Sequence, residues 1–295
     1  MPSNDRRTAQ LFTVDVEEYF QVRALESVVS RQHWGSHTTR VGHSIDLLLD
    51  SLDEYHARGT FFVLGWLADH RPEVVRSIAS RGHEIASHGY WHERVSVQNP
   101  EIFREDVRKG KSSVEQLTGR PVIGYRAPNF SIIPGIEWAF DVLLEEGYQY
   151  DSSIFPIRRS GYGYANACPD PHIIVRKSGR LAEFPLATAS ILRYRVPAAG
   201  GGYLRQLPFG IVRRAFRDAV RRGEHGTFYI HPWEIDPGQP QLRTSFLNRI
   251  RHYRGLSKTL QRIEALLAEF RFTSIESCLQ EVLALGEQRY LEGAA

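Results

Sequence analysis

Short β-branched and aromatic runs alternate along the chain with longer stretches in which apolar positions recur every three or four residues. Gln10 to Val16 reads as a strand, and Ser44 to Ala57 reads as a helix, with Ile45, Leu48, Leu49, Leu52 and Tyr55 on one face. Gly59 to Gly65 is a buried-strand pattern, followed by a helix over Pro72 to Ser80 that starts on a proline. His83 to Ser87 predicts a third strand. Asn99-Pro100 opens a helix to about Leu117, closed by Gly119 and Pro121. Val122 to Tyr125, a helix over Gly135 to Glu146 and a strand near Tyr148 continue the series. Strict alternation of this kind predicts a parallel sheet or barrel.

The rhythm breaks between Ser152 and Gly202. Runs at Ile173 to Arg176 and Leu181 to Leu186 predict an inserted β-hairpin, with loops at a rim. A helix at Phe209 to Arg222 and a strand at Thr227 to Ile230 resume the pattern. Helices at about Lys258 to Phe270 and Ile275 to Leu285 end it. No repeat, low-complexity tract or linker interrupts the chain.

The 295 residues, 42% hydrophobic and 24% charged, have the make-up of a globular protein. Since α/β barrels run about 200–250 residues as one unit, the expectation is one barrel over residues 1–240 with an extension over 241–295 packed on it. Net charge is only +3, yet Arg205, Arg213, Arg214, Arg217, Arg221 and Arg222 crowd together, and Arg243, Arg249, Arg251 and Arg254 follow. This half faces either something acidic or, on the plainer reading, solvent along an amphipathic helix. Nothing else points to nucleic acid. Cys168 and Cys278 form no Cys-x-x-Cys pattern, so neither a disulfide framework nor a thiolate metal site is expected. The opening MPSNDRRTAQ lacks the apolar centre of a secretory signal, and no apolar run reaches the ~18 residues of a membrane helix. A cytoplasmic location is the expectation, with peripheral membrane contact and oligomeric state left open.

Four strand ends carry chemistry. Ser87-His88-Gly89-Tyr90-Trp91-His92 places two histidines four residues apart, about one helical turn, able to share a metal. Asp15 and Glu17 end the first strand and fall on one side if the extension continues; acids dressing a helix start is the competing reading. Arg126 ends another strand, suited to fixing a carboxylate through paired hydrogen bonds or to a structural ion pair. His231 ends the strand at Thr227 to Ile230 and, alone, reads as a core histidine. A barrel brings such ends to one rim, where two histidines and a carboxylate make a three-ligand set open to water, the pattern of catalytic zinc.

The stretches TVDVEEYF, GTFFVLGW, GHEIASHGYWH, GYRAPNFS, YDSSIFP, EFPLAT and FYIHPWE, in this order from Leu11 to Asp236, resemble the polysaccharide deacetylases, carbohydrate esterase family four. The later stretch RHYRGLSKTLQRIEALLAEFRFTSI resembles the extension of the subgroup linked to exopolysaccharide gene clusters. The resemblance implies a distorted (β/α) barrel of about seven parallel strands. It also implies a divalent metal, zinc being the first choice, and hydrolysis of N-acetyl groups from amino sugars of a polysaccharide or lipid-linked oligosaccharide. On this pattern His88 and His92 are metal ligands, Asp15 the general base, Arg126 the residue that orients it and His231 the general acid.

Val16 departs from the pattern, because the family's usual first motif has a second, metal-binding aspartate there. Glu17 is then the third ligand, or Asp15 binds the metal itself. The tryptophan usual near Asp151 is missing too, which predicts a reshaped groove. Tyr125, Pro128, Trp91, Trp233 and Gly201 are the candidates to line it, although aromatic residues beside a strand are as often core. Two rivals remain, a cyclic amide or imide hydrolase on the same scaffold and a non-catalytic carbohydrate-binding protein.

Overall fold

In the computed structural model, described over residues 8–159, 161–191 and 194–285, the apolar runs form a curled sheet wrapped in helices. Residues 1–7, at the opening where no secretory signal is expected, and the last ten residues of the expected extension lie outside the described residues. The strands are β1 (Gln10–Val16), β2 (Thr60–Val63), β3 (Glu84–Ser87), β4 (Gly124–Tyr125), β5 (Tyr150–Asp151), β6 (His172–Arg176), β7 (Gly179–Glu183), β8 (Thr188–Ile191), β9 (Tyr194–Pro197), β10 (Thr227–Ile230) and β11 (Phe272–Thr273). The helices are α1 (Val41–Glu54), α2 (Gly65–His70), α3 (Pro72–Ser80), α4 (Pro100–Thr118), α5 (Trp138–Glu145), α6 (Gly201–Gln206), α7 (Phe209–Arg222), α8 (Phe246–Tyr253), α9 (Thr259–Glu269) and α10 (Glu276–Leu283).

The sheet order is β10-β1-β2-β3-β4-β5-β7, all neighbours parallel, with β6 antiparallel on the far edge. Just past β7 the backbone reaches back to β10. Ala187 donates to the Thr227 carbonyl at 3.0 Å, and Tyr229 donates to that of Ala199 at 2.9 Å. The curl therefore touches itself, giving the distorted (β/α) barrel that the alternation predicts.

Two expectations change. The pair at 173–186 is not an insertion at the rim, since β7 is a strand of the barrel, parallel to β5, and only β6 is added on its outside. Periodicity hid this because fully buried and edge strands of five residues look alike. Behind it sits a second hairpin, β8–β9. Nor does the C-terminal segment merely lie on the barrel: β11 pairs with the start of β1, Gln10 opposite Phe272, where β2 has not yet begun.

Alternation along β1 sorts its side chains into two layers. Phe12, Val14 and Val16 join the outer core with Ile45, Leu48 and Leu52 of α1. Leu11 packs inside with Phe62, Ala86, Tyr150, Ala182 and Phe184, and Ile275, Leu279 and Val282 close that end of the interior. Polar Thr13 and Asp15 have the same parity as Leu11, so they share the interior face, further up the strand.

Candidate metal centre

Glu17, His88 and His92 bring one ligand atom each to within 4.8 Å of one another. Glu17 follows the last residue of β1 and is 2% exposed; its Oε2 is 2.8 Å from Nε2 of His92. Nδ1 of His88 donates to the Arg126 carbonyl at 2.8 Å, which leaves Nε2 as the nitrogen with a lone pair. Oε2 of Glu17 is buried with the His92 ring nitrogen as its neighbour, and a carboxylate oxygen with two imidazole nitrogens is a donor set that suits a divalent cation. Val16, in the place where the usual motif has its second aspartate, belongs to the outer apolar layer.

The two histidines are not one helical turn apart, because no helix forms there. β3 ends at Ser87, and the chain turns through Gly89 (φ +72°) to His92, itself left-handed (φ +53°). Asp106 on α4 holds this loop: its oxygens accept from the backbone N–H groups of Tyr90 at 3.0 Å and Trp91 at 3.1 Å. A Cβ on Gly89 would lie 2.5 Å from Asp106 Oδ2, so glycine is needed for both its φ and its size. The signal for Asp106 in the sequence is an acid among Phe103, Val107, Gly110 and Val114, the apolar face of its helix.

Arg126, fully buried, donates to Asp15 Oδ1 and Thr13 Oγ1 through Nη1, both at 2.7 Å. Its other nitrogens donate to the Ser152 carbonyl at 3.0 Å and hydroxyl at 2.7 Å, and its plane lies 4.1 Å above the Phe62 ring. Four hydrogen bonds and a ring contact fix the guanidinium, and through it one oxygen of Asp15. The other oxygen, Oδ2, is 3.8 Å from Nε2 of His231, which is also 3.2 Å from Glu17 Oε1.

His231 has a partner that the strand-end reading missed. Its Nδ1 lies 2.6 Å from Glu234 Oε1, and Glu234 Oε2 accepts from Nε of buried Arg205 at 2.5 Å. The Pro232–Ile235 turn makes this contact local, with His231 at its cap and Glu234 three residues on, a spacing readable in the sequence as a capping box. Burial opposes a charge on His231, but Glu17, Glu234 and Asp15 outweigh it and push its pKa up to about 9. Burial likewise opposes ionisation of Glu17, yet His92 and His231 hold it down at about 2. Burial takes His88 down to about 4, keeping its imidazole neutral at pH 7 as a metal ligand must be.

Asp15, Glu17, His92 and His231 line a cleft of about 590 Å³. Trp233 lines it, stacked between His231 and His252 with ring centroids 5.4 and 4.3 Å away, and donates Nε1 to Glu17 at 3.3 Å. The other expected groove residues stand elsewhere. Tyr125 points into the core between Phe103 and Tyr148, as its strand parity with Ser87 dictates. Pro128 is buried and starts the turn that puts Asn129 and Phe130, both left-handed, into the wall. Gly201 backs onto Tyr229, where a Cβ would meet the ring hydroxyl at 2.5 Å. Trp91 lies on the outer side of the histidine loop, with Lys109 5.0 Å above its ring. Tyr162 and Tyr203 line the cleft instead, their hydroxyls 2.5 Å apart.

Comparison with known proteins adds to this geometry. Residues 42–137, which hold His88, His92 and Arg126, match the polysaccharide deacetylase model, and residues 152–280, which hold Arg205, His231 and Glu234, match a domain of unknown function, DUF3473. A peptidoglycan-N-acetylglucosamine deacetylase of Bacillus cereus is 31% identical over 93 residues, 31% of this chain and 34% of that protein. A peptidoglycan deacetylase of Helicobacter pylori is 31% identical over 112 residues, 37% of this chain and 36% of that protein. The match thus spans about a third of the length of these curated relatives.

Two solved structures share the fold along nearly the whole chain. A Mycobacterium smegmatis protein named after the polysaccharide deacetylases has a TM-score of 0.65 at 21% identity, covering 96% of this chain and 93% of its own. PuuE allantoinase has a TM-score of 0.62 at 16% identity, covering 97% and 93%. Family model and relatives agree that part of the chain, residues 42–137 by the model, is similar to the polysaccharide deacetylases, and the solved structures share the fold.

Proposed function

We propose that this protein is a metal-dependent N-deacetylase that acts on amino sugars of a polysaccharide or a lipid-linked oligosaccharide during exopolysaccharide assembly. One juxtaposition carries the reading: the Glu17, His88 and His92 donor set shares its cleft with Asp15, held by Arg126, and with His231, held by Glu234. A divalent cation bound by these three side chains, zinc by its preference for imidazole and carboxylate, supplies Lewis acidity toward a carbonyl oxygen and lowers the pKa of a water from 15.7 to about 7.

The residues of the chain do the rest. Arg126 ties down one oxygen of Asp15, leaving Oδ2 as the proton acceptor for the attacking water. Glu234 holds Nδ1 of His231, so Nε2, on the cleft side near Asp15 and Glu17, is the atom that hands a proton to the departing amine nitrogen. An amide nitrogen leaves poorly as an anion, and that is why a positioned acid is needed beside the base. Tyr162 and Tyr203 offer ring faces to a sugar.

The test is acetate release from N-acetylglucosamine oligosaccharides by chelated protein, before and after zinc is restored. Release that depends on the metal supports the reading. Ring opening of a cyclic amide such as allantoin, with no acetate from any acetamido sugar, overturns it in favour of the imide-type reaction, and glycan binding without either reaction leaves a binding protein.

A further inference from the structure

The cleft has an acidic floor and a basic mouth. Asp15 and Glu17 are its only lining carboxylates among the described residues, whereas Arg23, Arg159 and Arg251 line its walls. These arginines come from three separate places: the segment after β1, the loop after β5, and α8. Arg23 reaches the loop that carries Arg159, its Nη1 lying 3.5 Å from the Cβ position of Gly161. Among the described residues none of the three has a carboxylate partner within ion-pair distance.

The arginine-rich helix α7 behaves differently. On α7, Arg213 and Arg217 share Glu269, Arg214 and Arg221 share Asp218, and Arg222 pairs with Asp170. The crowded arginines of α7 are thus matched by acids, whereas the three at the cleft are not. Unmatched like charges around one concave mouth repel one another, and they raise the local concentration of an anion that fits there. Asn129, Asn248 and Tyr162 stand among them as uncharged partners for sugar hydroxyls.

We infer that the substrate is an anionic glycan, carrying a carboxylate or phosphoryl group near the N-acetylated sugar, and that Arg23, Arg159 and Arg251 select it. The inference rests on the deacetylase reading of the same cleft. A uronic acid in the polymer and the diphosphate of a lipid-linked oligosaccharide present the same chemistry, a compact oxyanion that guanidinium groups bind through paired hydrogen bonds.

Binding, read by calorimetry on the zinc-loaded protein, separates this inference from the reaction itself. The probes are neutral chitotetraose, a hyaluronan tetrasaccharide for the uronate and chitobiosyl diphosphate for the phosphoryl arm. We expect one anionic probe to bind about tenfold tighter than chitotetraose, with the ratio falling toward one in Arg159→Gln/Arg251→Gln. Arg249→Gln, an exposed change on the same helix outside the cleft, controls for net charge and should keep the preference. The tighter arm identifies the source of the anion. Equal binding of all three probes, or a preference that Arg249→Gln removes as fully as the double variant, overturns the inference. Selective binding of an anionic probe that never releases acetate leaves the inference standing and overturns the deacetylase reading.

Discussion

Glu234 clamps His231 from three residues away, with Oε1 2.6 Å from Nδ1, and is itself clamped by Arg205 at 2.5 Å. Burial opposes ionisation of Glu234, but Arg205 and His231 hold its pKa below the usual carboxylate range, so it stays charged and favours the imidazolium form of His231. Glu234→Gln removes that charge and should lower the pKa of His231. A rate that needs His231 protonated then fails at lower pH. The expected result is an alkaline limb of the kcat profile moved to lower pH, with zinc content unchanged. An unmoved limb would mean that Glu234 only supports the turn.

Metal content separates the ligands from the acid. Glu17→Ala and His88→Ala should each lose the divalent ion by elemental analysis, from about one per chain. His231→Ala should keep it while acetate release falls by about 10²–10⁴-fold. Metal lost only from His88→Ala and Asp15→Ala would transfer the carboxylate role to Asp15.

Arg126 also bears on stability. Replacing it with Met leaves Asp15 buried without its cation and strips donors from Thr13, Ser152 and the Ser152 carbonyl. Breaking one side of a buried pair costs about 3–5 kcal/mol, to be read as a lower urea midpoint with the slope unchanged. A loss under about 1 kcal/mol would show that water replaces the guanidinium.

His83 reports on the opposite end of the barrel. Burial, reinforced by Arg58, lowers its pKa to about 4, and its Nδ1 accepts from Gly59 N–H at 3.2 Å. Between pH 6.5 and 4 the unfolded chain takes up a proton that the folded chain refuses, so stability from this group falls as pH drops. Measured against His83→Gln, which cancels the other titrating groups, the wild type should lose about 1.4 kcal/mol per pH unit in that window. A difference that stays constant between pH 7 and 5 would refute the shift.

Much of the centre is legible in the sequence because each key side chain ends a strand, and parallel strands deliver their ends to one rim. Asp15, Arg126 and His231 needed nothing more than that. Where legibility failed, the cause was a contact between distant segments or a backbone that periodicity does not encode. His92 meets Glu17 only because Gly89 and His92 itself turn left-handed against Asp106, and a four-residue spacing wrongly suggests a helix. Arg205 looks like one more residue of a basic surface run, yet it is 7% exposed and tied to Glu234 and to three backbone carbonyls near the end of α8. Tyr125 and Trp91 mislead for the reverse reason, being aromatic neighbours of the right motifs that face the wrong way.

The pairing of β11 with the start of β1 bears on how the protein is made. Synthesis delivers the strand bearing both carboxylates first, yet two of its three partners, β10 and β11, emerge only after more than two hundred further residues. The loop of His88 and His92, Arg126 and His231 are all in place before Phe272 arrives. Until then the lower half of β1 keeps an open edge that invites pairing with another nascent chain. A message cut short just before Phe272 would thus encode every residue of the proposed centre while leaving unprotected the strand on which that centre is built.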